Sequence, residues 1–251
     1  MYKIPENTLF VGKNLVYVPQ CPSTNALAAE LGQKVETPDG TIIITDNQTA
    51  GRGQRGNKWE TQPGENLTFS LILKPGFLAV KDQFQLNEAV SIGIVDYITR
   101  KVDEKVLIKW PNDILVLDKK VCGILIENHV SGDEINYSVV GIGLNINQTF
   151  FPYPQAGSMK AFTGKDYQLA YELVELLQEL EARYLELKRG NQKALEKKYL
   201  QLLYQKDEVH QFSAHGEVFE GVITGVNDAG QLTMNIGEEN RFFGVKEVTF
   251  L

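Results

Sequence analysis

A chain of 251 residues is long enough for one large domain, or for one domain followed by a smaller one. Hydrophobic residues make up 43% of it and aromatic residues 10%, which supplies a core and excludes global disorder. The formal net charge of −7 argues against a nonspecific nucleic-acid binder, which needs a broad basic surface. No apolar run approaches the ~20 residues that span a bilayer. The two cysteines lie far apart and favour a reducing, cytoplasmic compartment.

Residues 1–204 show patterns that predict an α+β domain with a mixed sheet. Ser23 or Thr24 is the natural N-cap of the first helix, although three consecutive polar side chains exceed what one cap needs. The predicted elements are, in chain order, a strand at 15–19, a helix at 26–31, strands at 41–45 and 66–73, a helix at 85–102, strands from 106 and at 114–117, 121–127 and 136–146, and helices at 166–188 and 191–204.

Residues 205–251 follow a different pattern, in which short β-prone runs alternate with turns. About five strands fit into this segment, so we predict a small all-β domain. The predicted domain boundary lies near residues 204–207.

A glycine-rich, cationic stretch, Gly-Arg-Gly-Gln-Arg-Gly-Asn-Lys-Trp, occupies residues 51–59 of this acidic chain. Glycines let backbone N–H groups come close to a ligand and form concave anion sites. Arg52 and Arg55 add planar donors for phosphate or carboxylate, and Trp59 adds a flat face for a base. The stretch predicts a loop that closes over an anionic, nucleotide-like ligand; the alternative is a solvated surface turn.

Polar side chains gather at the ends of apolar strands, where packing does not require them: Lys109, Asn112, Asp113, Lys120 and Asn145. A carboxylate beside an amide can hold Mg²⁺, and lysines can stabilise charge at a phosphorus under attack. These residues predict chemistry at a nucleotide phosphate. The chain has no GxxxxGK[ST] run, and no helical period follows the GxGxxG pattern in 51–56, so neither a P-loop nor a dinucleotide-binding fold is predicted.

Five motifs in one order, spanning about half the chain, resemble those of the biotin protein ligases. They are STN at 23–25, GRGQRGNKW at 51–59, KWPND at 109–113, KVCGILIE at 120–127 and GIGLN at 141–145. The resemblance implies a biotin/lipoate ligase-type catalytic domain at 1–204, with a class II aminoacyl-tRNA synthetase-like α+β fold. It also implies an SH3-like β-barrel at 205–251.

The activity implied by this resemblance is a two-step ligation. Biotin is activated with ATP and Mg²⁺ as biotinyl-5′-AMP, and is then transferred to a lysine of a biotin carboxyl carrier protein. The short segment before Ser23 leaves no room for the DNA-binding domain of repressor-type members, so we expect no operator binding. We also expect no membrane partner, and either a monomer or a homodimer.

The same resemblance implies roles for individual residues, with Lys120 as the central cation and with Arg52 and Asp113 beside it in catalysis. Biotin contacts are implied for Ser23, Thr24, Asn25, Gln48, Gly51, Arg52, Gly53, Lys120, Gly123, Gly141 and Gly143. ATP contacts are implied for Arg52, Arg55, Trp59, Lys109, Asn112, Asp113, Lys120 and Asn145. Asn112 and Asp113 are the implied Mg²⁺ ligands.

Two alternatives stay open beside the biotin ligase. One is a lipoate or octanoate ligase, whose pocket must accept a dithiolane or an alkyl chain without a ureido group. The other is a noncatalytic biotin-binding protein, which needs the loop but not Lys109, Asp113 or Lys120. One departure from the family pattern is Gln54, where many members carry arginine. We expect that Gln54 weakens retention of the adenylate, or that Arg52 and Arg55 share the task.

Overall fold

A seven-stranded mixed sheet forms the centre of the computed structural model, which describes residues 2–251 except for the side chain of Arg55. The strands are β1 (Leu15–Cys21), β2 (Thr41–Gln48), β3 (Leu67–Leu73), β4 (Val106–Lys109), β5 (Asp113–Val116), β6 (Lys119–Ser131) and β7 (Glu134–Leu144). Their spatial order is β1-β2-β3-β7-β6-β5-β4. β1 and β2 are parallel, and every other neighbouring pair is antiparallel.

Helices cover both faces of this sheet. They are α1 (Thr24–Gly32), α2 (Phe84–Thr99), α3 (Met159–Thr163), α4 (Leu169–Lys188) and α5 (Gln192–Gln201). Side chains alternate between the faces of a strand, so Ile43 packs in the α1 layer while Ile42 and Ile44 join the larger core on the other side. That larger core includes α2, which packs against α4 and α5.

The predicted α+β fold is confirmed, with two local differences. α3 was not predicted, because five residues are too short to show a helical period. Ser23 occupies the N-cap position of α1, but its side chain makes no capping hydrogen bond. The backbone N–H of Thr24 instead donates to Oε1 of Gln48 at 2.9 Å, so a side chain from β2 satisfies the first turn.

The C-terminal module, residues 205–251, is a five-stranded antiparallel sheet. Its strands are β8 (Val209–Ala214), β9 (Glu217–Val226), β10 (Leu232–Ile236), β11 (Glu239–Phe243) and β12 (Thr249–Phe250), in the order β11-β10-β9-β8-β12. Phe212, Phe219 and Phe243 stack in its core. The sheet fits an SH3-like module, although the pairing among the described strands does not close into the expected barrel.

The C-terminal module rests against the start of α2 and the turn after β4. Trp110 Nε1 donates to the carbonyl of Gly230 at 3.0 Å. Gly230 has φ +78°, and a Cβ there would lie 2.6 Å from the ring of Phe84. Both the backbone conformation and the close contact therefore require glycine at this position. The predicted boundary near residues 204–207 falls between the end of α5 and the start of β8, and it stays a prediction. Within residues 2–251, none of the helices combines the length and apolar character of a membrane-crossing segment.

Candidate active site

A cavity of about 930 Å³ lies where the glycine-rich loop, the start of α1 and one end of the central strands meet the C-terminal module. Most of the predicted site residues line it together, although they come from positions 23 to 143 of the chain. They are Ser23, Thr24, Asn25, Gln48, Arg52, Gly53, Trp59, Lys109, Asn112, Asp113, Lys120, Gly123, Gly141 and Gly143. Gly51 and Asn145 do not line it. The side chain of Arg55 lies outside the described part of the structure.

The glycine-rich loop folds back on itself as a narrow hairpin. The N–H of Gly53 donates to the carbonyl of Asn57 at 2.7 Å, and the N–H of Trp59 donates to the carbonyl of Gly51 at 3.0 Å. A Cβ on Gly51 would lie 2.3 Å from the carbonyl oxygen of Trp59. Gly51 therefore permits the close crossing that sets Trp59 in place, rather than forming part of the cavity wall.

A buried polar chain forms one end of the cavity. Gln48 Oε1 accepts from the backbone N–H of Thr24 and, at 3.2 Å, from its hydroxyl. The hydroxyl of Ser70 lies 2.8 Å from Thr24 Oγ1 and 2.6 Å from Asn25 Oδ1. Because the amide oxygen only accepts, the Ser70 proton goes to Asn25, and the single proton of the Thr24 hydroxyl goes either to Ser70 or to Gln48. These contacts fix the Thr24 and Asn25 side chains at the start of α1.

The polar chain continues from Asn25 to the glycine-rich loop. Asn25 Nδ2 donates to Glu127 Oε2 at 2.7 Å and to the carbonyl of Leu125 at 3.2 Å. Arg52 Nη2 donates to the same Glu127 oxygen at 3.0 Å. The guanidinium is thus held on β6, and a carboxylate or phosphate of a ligand would compete with Glu127 for it.

Ser70 and Glu127 were not predicted to be site residues. Glu127 lies within a recognised motif but received no role. Ser70 stands in an apolar strand, and its register partner across the sheet is Gly141. A hydroxyl inside an apolar run, on a strand that borders the ligand site, is the signal that could have identified it.

Three glycines form a floor on β6 and β7, and side chains lie directly on it. A Cβ at Gly141 would be 2.2 Å from Asn25 Oδ1, and one at Gly143 would be 2.3 Å from Cε2 of Trp59. At Gly123 the nearest atom is Trp59 Cζ3, at 2.9 Å. The Trp59 indole therefore fills the room beside Gly123 and Gly143, so a ligand that lies on these glycines has to displace it.

Two ammonium groups and one carboxylate form the opposite end of the cavity. Lys120 Nζ lies 2.6 Å from Asp113 Oδ1 and 5.4 Å from the Trp59 ring centroid. Burial lowers the pKa of the Lys109 ammonium; the charge of Lys120 acts in the same direction, while Asp113 opposes it. This end can stabilise a negatively charged group with little reorganisation, because its cations are partly desolvated and already held in place.

Polar atoms at this site lack partners within the described structure. Trp59 Nε1 and Asn145 Oδ1 are buried and make no hydrogen bond there, whereas Asp113 Oδ1 is partnered by the Lys120 ammonium at 2.6 Å. Buried polar groups are normally satisfied, so such atoms point to a missing polar ligand. Asn145 is tied down otherwise, since its Nδ2 donates to the carbonyl of Gly157 at 3.0 Å.

A metal ion would find few protein ligands at this site. Among the described residues no group of three or more His, Cys, Asp and Glu side chains could hold one. Asn112 uses its Nδ2 on the carbonyl of Ile124 at 2.7 Å, which leaves its Oδ1 as the available ligand atom. The Asp113 carboxylate, paired with Lys120 through Oδ1, still has lone pairs for a metal ion. One carboxylate and one amide fit Mg²⁺, which keeps several waters and binds substrate phosphates.

Known proteins share this sequence pattern and this fold. Residues 17–145 match the model of the Biotin/lipoate A/B protein ligase family. The bifunctional ligase/repressor BirA of Bacillus spizizenii is 34% identical over 182 residues, which cover 70% of this chain and 55% of that protein. The biotin–[acetyl-CoA-carboxylase] ligase of Mycobacterium tuberculosis is 26% identical over 233 residues, which cover 90% and 84%.

Structural similarity extends over nearly the whole chain. The biotin protein ligase from Aquifex aeolicus in complex with biotin and ATP matches with a TM-score of 0.78 and 25% identity, covering 95% of this chain and 99% of that one. The chain spans little more than half the length of the BirA relative. The family model nevertheless matches more than half of the chain, including the strands that carry Lys109, Lys120 and Gly141. The chain belongs to the Biotin/lipoate A/B protein ligase family.

Proposed function

We propose that the protein is an ATP-dependent ligase that activates biotin as biotinyl-5′-AMP and transfers it to a lysine of a biotin carboxyl carrier protein. The observation that carries this proposal is a single cavity with two different ends. One end has a hydrogen-bonded chain of polar side chains that includes Asn25, and the other has the ammonium groups of Lys109 and Lys120. The relatives named as biotin ligases, and the similar structure with biotin and ATP, support the same assignment.

Biotin's ureido ring would lie at the polar end. Ser23, Thr24, Asn25 and Gln48 supply donors and acceptors at fixed positions, which a ureido group can use and a plain alkyl chain cannot. Because Gly141 has no side chain, the Asn25 amide can pack directly against the backbone of β7. A ring bound here would direct its valeryl chain along Gly123 and Gly143 toward Lys120, once the Trp59 indole has moved onto the adenine.

The first step joins two anions. An oxygen of the biotin carboxylate attacks the α-phosphorus of ATP, and the bond to pyrophosphate breaks with its electron pair leaving on pyrophosphate. Lys120 would lie between carboxylate and α-phosphate, Arg52 would exchange Glu127 for the ligand's negative charge, and Lys109 would meet the outer phosphates. Fixed cations in a partly dry cavity offset the repulsion that otherwise keeps the reactants apart.

Mg²⁺ fits the free oxygens of Asn112 and Asp113, and when bound it would neutralise phosphate charge. Asn112 is kept in place by its hydrogen bond to Ile124. Asp113 is kept in place by Lys120, which anchors β6 against the start of β5.

In the second step the uncharged ε-amine of the acceptor lysine attacks the acyl carbon, and the acyl–oxygen bond to AMP breaks. The amine's proton has to leave, and Asp113 is our candidate acceptor because its carboxylate lines the cavity beside Lys120. Both cysteines are free and buried, which fits a reducing compartment, and we infer a cytoplasmic location.

Biotin-dependent exchange of pyrophosphate into ATP tests the first step, and transfer of labelled biotin to a carrier domain tests the second. A noncatalytic biotin-binding protein would shift its melting temperature with biotin but give no exchange. A lipoate or octanoate ligase would give exchange with those acids and not with biotin. Either result would overturn the assignment.

Replacing Ser70 with alanine should weaken biotin binding about tenfold and lower the unfolding free energy by about 1–3 kcal/mol. The buried Asn25 Oδ1 would lose the proton it accepts, so the Thr24–Asn25 pair would lose its orientation. Calorimetric titration with biotin and urea unfolding measure the two effects.

Ser91→Ala is the matched control for Ser70→Ala. Ser91 is equally buried, on α2, and its hydroxyl has no hydrogen-bond partner among the described residues. We therefore expect unchanged biotin affinity and no loss of stability. Equal biotin affinity in Ser70→Ala and wild type would remove Ser70 from the site.

A further inference from the structure

We propose that Phe250 of the C-terminal module is a positioning residue for Lys109. It would hold the Lys109 ammonium at the end of the cavity that also contains Asp113 and Lys120, called here the phosphate end. The C-terminal module would then be part of the ATP site rather than an attached domain. The inference rests on the proposed function in naming ATP as the ligand of Lys109.

The contact lies within the range of a cation–π interaction. Lys109 Nζ is 4.8 Å from the centroid of the Phe250 ring and 6.0 Å from that of Tyr204. The two ring centroids are 6.4 Å apart, so the rings are neighbours and Phe250 is the nearer of the two to the ammonium. Phe250 also lines the cavity that contains Lys109, together with Val245, Lys246, Val248 and Thr249.

An aromatic partner suits a phosphate-binding ammonium better than a carboxylate does. Lys120 already takes the nearby carboxylate of Asp113, and no described carboxylate forms an ion pair with Lys109. A ring face stabilises the cation after burial has removed water, yet it adds no net negative charge to repel an incoming phosphate. The ammonium keeps its N–H donors for the ligand.

The ring of Phe250 is itself held by the core of the C-terminal module. Phe250 is the register partner of Phe212 across β12 and β8, and the two rings meet edge to face at 5.3 Å. Phe212 is fully buried. The position of Lys109, on the last residue of β4, is thus tied to the fold of a module that begins almost a hundred residues later.

Calorimetric binding of α,β-methylene-ATP, which cannot be cleaved at the reacting bond, tests the proposal directly. Phe250→Leu keeps the bulk but loses the π face, and it should weaken binding of the analogue roughly three- to tenfold. Phe250→Tyr keeps the face and should bind as wild type does. Biotin affinity should be the same in all three proteins.

Phe219→Leu is the matched control. Phe219 packs on the same Phe212 ring, at 6.1 Å, but does not line the cavity. It should lose stability as Phe250→Leu does and bind the analogue normally. If Phe219→Leu weakens binding as much, or if Phe250→Tyr does not restore it, Phe250 acts only through the stability of the module and the proposal is wrong.

A double-mutant cycle with Lys109→Ala shows whether Phe250 acts through Lys109. Once Lys109 is alanine, adding Phe250→Leu should cause no further loss of analogue affinity. An equal loss in both backgrounds contradicts the proposal, as does a wild-type protein that does not bind the analogue. A wild type that binds it without biotin-dependent exchange refutes the ligase assignment alone, since the cycle is read from binding.

Discussion

Lys120→Ala should slow biotin-dependent ATP–pyrophosphate exchange by roughly a hundred- to a thousandfold, the usual cost of one preorganised contact to developing charge. Lys120 stands at the phosphate end of the cavity, beside Gly123, and its Nζ is 5.4 Å from the centroid of the Trp59 ring. Without its ammonium, the Asp113 carboxylate would lose its ion-pair partner and would repel the two anionic substrates more strongly. The reaction would then lose an attraction and gain a repulsion.

Loss of folding would not explain such a decrease. The Lys120 and Asp113 side chains are 34% and 25% exposed, and a partly solvated pair of this kind contributes about 1 kcal/mol or less. Lys119→Ala is the control, because Lys119 precedes it on β6, is exposed and bonds to the carbonyl of Pro154 outside the cavity. An undiminished exchange rate in folded Lys120→Ala protein would mean that another group carries the central charge.

Most helices and strands of the fold can be predicted from the spacing and composition of residues close together in the sequence. The β-branched residues at 41–45 predict a buried strand from composition alone, and β2 is indeed buried along most of its length. The helix predicted at 166–188 corresponds to α4, which begins three residues later, and Gly190, at φ +86°, follows its end as expected. Such features depend on neighbours a few residues apart, which a sequence displays directly.

Contacts between distant segments could not be inferred in the same way. The motifs predicted that Lys109 and Lys120 share a site, but nothing in them showed that Phe250 lies against Lys109. The resemblance implies a biotin contact for Gly51, and nothing in the motif showed that the missing side chain also lets the loop cross close to Trp59. Both depend on how separate segments pack, and packing is set by the whole core rather than by local spacing.

Gly141→Ala should weaken biotin binding by roughly a hundredfold and lower the unfolding free energy by about 2–4 kcal/mol. The added methyl would lie 2.2 Å from Asn25 Oδ1. The backbone has little freedom to yield, because β7 is paired on both sides, with Ser70 and Leu125 as the register partners of Gly141. Asn25 would have to turn away and lose its bonds to Ser70, Leu125 and Glu127.

Adding Asn25→Ala to Gly141→Ala separates the two consequences. The double variant relieves the clash, so it should be more stable than Gly141→Ala, yet it should still bind biotin weakly because the amide is gone. Gly76→Ala is the control, since a Cβ there meets no atom within 4 Å. The ATP analogue, bound at the other end of the cavity, should be unaffected throughout. Normal biotin affinity in Gly141→Ala would show that the ureido ring does not bind at Asn25, because a displaced amide could not orient the ligand.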